Sequence, residues 1–476
     1  VWVVQHDDGT VSVVDAVVPA VADEDEGVLA ARGAGPGLDR RARWGAGRGG
    51  IVGRFGGGGG GKKSKTPIMG QRVPILTSEA AAEADPALAS VDVLLPPAQA
   101  NPAWSQPGGN AGKSMEHVAL GASLGPAWRA NISGSSKKAR LASAPVVSDG
   151  KLYVMDTQSR VYAFDTRSGR QLWSIVFGDG GKDRRALWGG GVSVDGDVLY
   201  VTNGLGDVAA LKAADGSVIW KKRPAGPLRG APSVGLGNIY VMAADNQIFA
   251  IRASDGSIEW QESGASELTG VFGMAAPAIG QGTIVAGFSS GELNAYRYEN
   301  GRVLWGDALT RTSTTTSVSA LADIDASPVV DRGRVFAVGK GGRMVSLELV
   351  TGQRLWEINL AGISTPWVAG EWLFVVTDDA RLLCIARGSG KVRWSTQLAR
   401  YRVEKKKKDP INWVGPILAG DRLIVASSEG RLVNVSPTDG KIQSETKAGG
   451  QVLLSPIVAD NTLYILDNDG RLTAWR

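Results

Sequence analysis

Cysteine is all but absent: Cys384 is the only one in the chain. No intramolecular disulfide, cysteine-rich metal site or CxxC redox pair can be built from it. It lies in the apolar run Leu382-Leu383-Cys384-Ile385-Ala386, which reads as a buried strand thiol. Histidine is scarce too. His6 and His117 alone leave little for histidine-based metal or acid–base chemistry. No apolar stretch reaches the length of a membrane-crossing helix. The P-loop and HExxH patterns are missing, and neither a catalytic, cofactor nor metal site is expected. Charge of one sign is also lacking: 52 Lys and Arg against 47 Asp and Glu leave +5. That charge is scattered, whereas nucleic-acid binding needs a concentrated basic patch with interleaved aromatics. It is compatible with an acidic partner or an anionic membrane surface.

Glycine (65) and tryptophan (15) are abundant, against eight Phe and eight Tyr. The tryptophans fall in a repeat. Its fullest copy is Ala163-Phe164-Asp165-Thr166-Arg167-Ser168-Gly169-Arg170-Gln171-Leu172-Trp173: a strand ends at Asp, Gly turns the chain, and a second strand carries Trp. Looser copies run from Asp215-Gly216 to Trp220, Asp255-Gly256 to Trp260, Asn300-Gly301 to Trp305, Thr351-Gly352 to Trp356 and Ser389-Gly390 to Trp394. A worn copy, Asp439-Gly440, has Gln443-Ser444 where the Trp would stand. A period of roughly 40–50 residues points to a propeller or an array.

Each unit opens with a short strand at Pro145, Gly191, Pro232, Pro277, Pro328, Pro366, Pro416 or Pro456. A Gly/Asp turn, a strand such as Leu152-Tyr153-Val154 and two further strands complete it. The expected fold is all-β: an eight-bladed propeller of four-stranded antiparallel blades over residues 121–476. The eighth unit stops at Leu472-Thr473-Ala474-Trp475-Arg476 without its Trp-bearing strand. A spare copy, Pro126-Ala127-Trp128-Arg129, precedes the first unit. That strand is expected to complete the last blade and close the ring. The recurring Trp is read as packing between blades, its N–H on a backbone acceptor.

Residues 1–62 begin with Val and combine the acidic cluster Asp23 to Glu26, Arg-rich stretches and the run Gly56 to Gly61. They read as disordered low-complexity sequence or an aberrant start. Residues 63–120 carry six prolines between Pro74 and Pro107 and read as an extended, partly ordered tether.

Function is expected in the connections from each outer strand to the next inner strand, which share a face and differ in length. One holds Leu268, Thr269, Val271 and Phe272: either a loop tucking in its own apolar residues or an exposed apolar anchor for a partner. A Ser/Thr-rich connection leads into Asp323-Ile324-Asp325. In extended chain both carboxylates share a side with Ile324 opposite, which suits turn capping or a dock for Arg or Lys. A third carries Arg402 and Lys405 to Lys408, a solvated loop or a site for an anionic headgroup or acidic partner.

The repeated Ala-x-Asp-x-x-Thr/Ser-Gly-x-x-x-Trp pattern resembles the quinoprotein propeller repeat. That superfamily holds calcium- and quinone-dependent dehydrogenases and non-enzymatic propellers; its dehydrogenases carry an adjacent-cysteine disulfide that one cysteine cannot supply. Residues 66–476 are more similar to the BamB family, the propeller lipoproteins of the outer-membrane β-barrel assembly machinery. Thr66-Pro67, Gly70 to Leu76 and Asp323 to Val330 carry that likeness. It implies a non-enzymatic scaffold at the periplasmic face of the outer membrane. The implied partner is the periplasmic part of the barrel-forming subunit, with unfolded outer-membrane clients as further candidates. The acidic pair Asp323 and Asp325, with an apolar-and-Arg loop one blade earlier, would make the contact. Here that loop keeps Val271 but has Phe272 in the place of the Arg, so a greasier contact is implied. A quinone dehydrogenase and a periplasmic ligand-sensing propeller remain the alternatives. Family members start with a signal peptide and a lipidated cysteine. No cysteine precedes Cys384, and Lys62-Lys63 stand near the implied mature start, so the natural N-terminus is expected to be unrepresented.

Overall fold

The computed structural model describes residues 82–136, 139–177, 190–265, 275–309 and 323–476, and the backbone of Trp2–Gln5 and Val11–Val14. The chain forms two compact units, 1–75 and 76–476. In the first, whose low-complexity sequence predicts no fold, Trp2–Gln5 pairs antiparallel with Val11–Val14.

The second unit is the eight-bladed propeller. Its described residues form eight four-stranded antiparallel sheets. Blade I is Val146–Ser148, Lys151–Met155, Arg160–Asp165 and Gln171–Val176. Blades II to VII span 190–222, 233–263, 278–308, 329–358, 367–397 and 413–447. Blade VIII takes Ile457–Ala459, Thr462–Leu466 and Arg471–Trp475, then borrows Pro126–Asn131 as its fourth strand. Trp128 lies opposite Ala474 and Pro126 opposite Trp475, so the ring closes where the spare tryptophan predicted.

Two turns explain the periodicity. The first is the two-residue hairpin Asp149-Gly150, with φ of 48° and 69°. Positive φ at both positions gives the twist that suits a two-residue hairpin. The second joins the third and fourth strands. Asp165 Oδ1 accepts from the Ser168 N–H at 2.8 Å and from its hydroxyl at 2.6 Å. Gly169 then turns at φ +71°, and a one-residue register shift sets Trp173 opposite the small Ala163. Cys384 is such a small residue too, opposite Trp394 and fully buried; burial pushes its thiol pKa up.

Each repeat tryptophan fastens its blade to the next. Trp128 Nε1 donates to Thr166 O of blade I at 2.7 Å. Trp173 bonds Ala213 O, Trp220 Ala253 O, Trp260 Tyr298 O, Trp305 Leu349 O, Trp356 Arg387 O and Trp394 Pro437 O. Within the blade the indole leans on the aromatic of the second strand, as Trp260 does on Tyr240 with centroids 5.9 Å apart. Across the gap it sits on the turn glycine of the neighbour: a Cβ at Gly256 would stand 2.6 Å from Trp220 Cε3. The glycine is therefore required twice, by φ and by the indole over it. Blade VII has Ser444 at this place, opposite Asn434. Blade VIII has no turn between its third and fourth strands, hence no glycine seat to receive an indole.

Residues 82–120 are laid on the propeller. The segment 99–118 runs round one mouth of the central channel and bonds the first strand of every blade. Trp104 exchanges backbone bonds with Val147 of blade I, and Val194 of blade II donates to Ser105 O. Gln106 clamps Val234 of blade III through both ends of its amide. Ile279 of blade IV donates to Ala111 O and Val330 of blade V to Gly112 O. Trp367 of blade VI donates its indole N–H to Glu116 O. Val118 bonds Leu418 O of blade VII, and Asn101 bonds Val458 O of blade VIII. His117 is 2 % exposed. Its Nδ1 meets Pro96 O at 2.8 Å and its Nε2 accepts from the Asp421 N–H, so it acts as a fastening of this strap. The strap covers the face bearing the first-to-second-strand turns and leaves the connection-bearing face open.

Candidate docking face

The open face is built from the inter-blade connections and the second-to-third-strand hairpins. Leu268, Thr269, Val271 and Phe272 lie outside the described residues. Their described flanks are anchored: Ala265 N donates to Glu292 Oε2 at 2.6 Å, and Ala276 N to Ser327 Oγ at 3.1 Å.

Asp323-Ile324-Asp325 is stitched between two hairpins. Ile324 N donates to Phe288 O of blade IV, and Lys340 N of blade V to Asp323 O. Ile324 is fully buried against Leu293, Leu309 and Val330. It fills space that Gly287 leaves open, since a Cβ there would lie 2.5 Å from Ile324 Cγ2. The alternation read from the sequence therefore holds for Ile324.

The two carboxylates part company. Asp323 is 1 % exposed. Arg229 Nη2, from the connection between blades II and III, donates to its Oδ1 at 3.1 Å and Oδ2 at 3.3 Å. A carboxylate closed off in this way positions the segment rather than offering itself outward. Asp325 is half-buried and lines the mouth of the channel. Its Oδ1 has no hydrogen-bond partner among the described residues. Burial, then the charge of Asp323, pushes its pKa up to about 6, while Arg229 and Lys340 pull the other way. Arg229 was missed from the sequence; the only cue is a basic residue in Leu228-Arg229-Gly230-Ala231-Pro232, just before an inner strand.

The basic run is a raised hairpin. Tyr401–Val403 pairs with Lys408–Pro410, and Glu404–Lys406 makes the tip as a short 3-10 turn. Lys405 to Lys408 are all exposed, and Arg402 pairs with Glu429 at 2.7 Å. Among the described residues no group of three or more His, Cys, Asp or Glu is placed to hold a metal ion. No described helix is long and apolar enough to cross a membrane.

The family described as outer membrane protein assembly factor BamB matches residues 115–182, 157–396 and 400–475. The chain belongs to the BamB family. The assembly factor BamB of Salmonella typhimurium is 31 % identical over 334 residues, covering 69 % of this chain and 83 % of that protein. The solved structure of BamB from Moraxella catarrhalis superposes with a TM-score of 0.63 at 19 % identity, over 74 % of this chain and all of that one. The propeller architecture extends beyond the family. The quinohemoprotein alcohol dehydrogenase of Comamonas testosteroni gives a TM-score of 0.62 at 16 % identity, over 84 % of this chain and 83 % of that one. At such identities these two likenesses speak for the fold.

Proposed function

We propose that the protein is a non-enzymatic scaffold of outer-membrane β-barrel assembly, working at the periplasmic face of the outer membrane. Its partner is the periplasmic part of the barrel-forming subunit. Membership of the BamB family is the observation that carries this reading. Contact is made on the face the strap leaves open. Apolar residues of the 266–274 connection, Leu268, Val271 and Phe272 with Thr269 between them, give up water to the partner. Asp325 accepts a hydrogen bond from a partner cation and fixes register. Asp323 is engaged with Arg229 and holds Asp325 in place. The dehydrogenase alternative lacks the adjacent cysteines its disulfide needs, since Cys384 stands alone.

The test is co-purification of the tagged chain from envelope extract, with the barrel-forming subunit detected by mass spectrometry. Asp325→Lys and Phe272→Glu are each expected to lower its recovery about tenfold or more, with circular dichroism unchanged. Full recovery with both variants removes these residues from the contact.

A further inference from the structure

The strap does more than shut one mouth of the channel, for it carries Lys113 into the interior. Lys113 is 3 % exposed. Its ammonium donates to Ser233 Oγ at 3.0 Å and, at 3.5 Å, to Gln106 Oε1. Ser233 donates its own O–H to Pro277 O at 2.6 Å, and Gln106 Oε1 also accepts from the Val234 N–H, so both partners are fixed as acceptors toward Lys113. Both are neutral. Among the described residues no carboxylate pairs with Lys113. A buried cation without an anion is costly, and proteins seldom keep one.

Lys113 lines a cavity of about 310 Å³ in the channel above the strap. Trp104 and Pro107 of the strap and Trp367, Ile363 and Leu454 of the propeller give it apolar walls. Trp104 and Trp367 are stacked with centroids 6.1 Å apart and planes 21° from parallel. Asp325 and Lys340 are the other charged residues on the lining. A largely apolar concavity with few, fixed polar groups is the ordinary form of a small-molecule site. The ammonium names the pole of the ligand, and the tryptophans name its body.

We propose that the strapped channel is a binding site for a small amphiphilic carboxylate, its anionic end on the Lys113 ammonium and its apolar part against Trp104 and Trp367. The site shares Asp325 with the proposed docking contact at its rim, and Lys113, Trp104 and Trp367 take no part in that contact. Burial alone holds Lys113 down at about 7, so an arriving anion meets a group that readily takes up the proton it needs. Binding is non-covalent.

Calorimetric titration of the full chain with phenylacetate, and with phenylacetamide as its uncharged isostere, tests the site. Saturable binding of phenylacetate is expected, with the amide weaker by about tenfold or more, the usual worth of a charge-assisted hydrogen bond. Lys113→Met should bring phenylacetate down to the level of the amide while the melting temperature holds or rises. Absence of saturable binding to the unaltered chain, equal binding of acid and amide, or equal binding to Lys113→Met overturns the proposal. Should the variant not fold, NMR of lysine side chains in the unaltered protein decides. The Lys113 titration midpoint must move up when phenylacetate is added; a fixed midpoint sinks the site.

Discussion

Arg229 and Asp323 are 94 residues apart in sequence and joined in space, Nη2 lying 3.1 Å from Oδ1 with both side chains buried. They tie the connection between blades II and III to that between blades IV and V. The pair thus links the two connections that flank blades III and IV in chain order. Removing one member of a buried pair strips the other of this counter-charge, at about 3–5 kcal/mol. Asp323→Ala is expected to lower the unfolding free energy by that amount, read from urea midpoints. The double variant Arg229→Met with Asp323→Leu should recover most of the loss. Equal losses in the single and double variants would show that the pair is not coupled.

Asp325 gives a pH signature. Its carboxyl sits at about 6 in the folded chain against an ordinary 3.8. The folded state holds this proton more tightly than the unfolded one, so the contribution is complete below about pH 4 and lost as pH rises to 6. The groups that set it are Asp323 and Asp378, which raise it, and Arg229 and Lys340, which lower it. Asp325→Asn should flatten stability across pH 4–6 and stabilise the protein at pH 7 by about 1–2 kcal/mol after allowing for solvent screening. An unchanged profile in denaturant melts at pH 4, 5, 6 and 7 would refute the assignment.

Lys113 acts in the opposite sense. Its folded value of about 7 lies below the ordinary 10.5. Between those limits the unfolded chain binds the extra proton, so stability rises with pH from about 7 towards 10. Lys113→Met should erase that rise and stabilise the chain at pH 7 by roughly 2–4 kcal/mol, the worth of a buried, unpaired cation replaced by an apolar side chain of similar length. Urea midpoints at pH 7 and pH 9 measure both.

The indole fastenings can be tested through their glycines. Gly256 lies under Trp220 at φ +73°, and an added Cβ would meet the ring at 2.6 Å. Gly256→Ala is expected to cost roughly 2–4 kcal/mol from backbone strain and overpacking together. Gly196 also has positive φ but open space around it, so Gly196→Ala should cost about 1 kcal/mol, from the backbone alone. Thermal melts of the two variants should differ by several degrees; coincident melts would remove the packing explanation.

The blades were legible because each repeats the same local chemistry. Asp165, Gly169 and Trp173 state a turn, a left-handed residue and a packing partner within eleven residues, and Trp128 reveals the ring closure as a displaced copy. The strap was not legible. Its partners are backbone groups of seven first strands and the indole of an eighth, most of them far away in sequence, so residues 99–118 show neither alternation nor helical period, and read as a tether. Asp323 and Asp325 look alike in sequence because burial is set by Arg229, from a distant connection. Nothing in the residues around Lys113 marks it for burial; the path of the strap carries it inward.

Blade VII lacks an indole because blade VIII assembles its outer pair from distant parts of the chain. Every other joint of the circle is riveted, and the opposite flank of blade VIII is held by Arg476 Nη2 on Thr166 O at 2.6 Å. The Ile442–Lys447 strand of blade VII is exposed along its whole length. The joint between blades VII and VIII keeps a continuous apolar core but lacks an indole fastening, and thermal breathing is expected to begin there. Deuterium uptake at Ile442–Lys447 should outrun that of the equivalent outer strands, making this flank the first peptide edge the molecule presents.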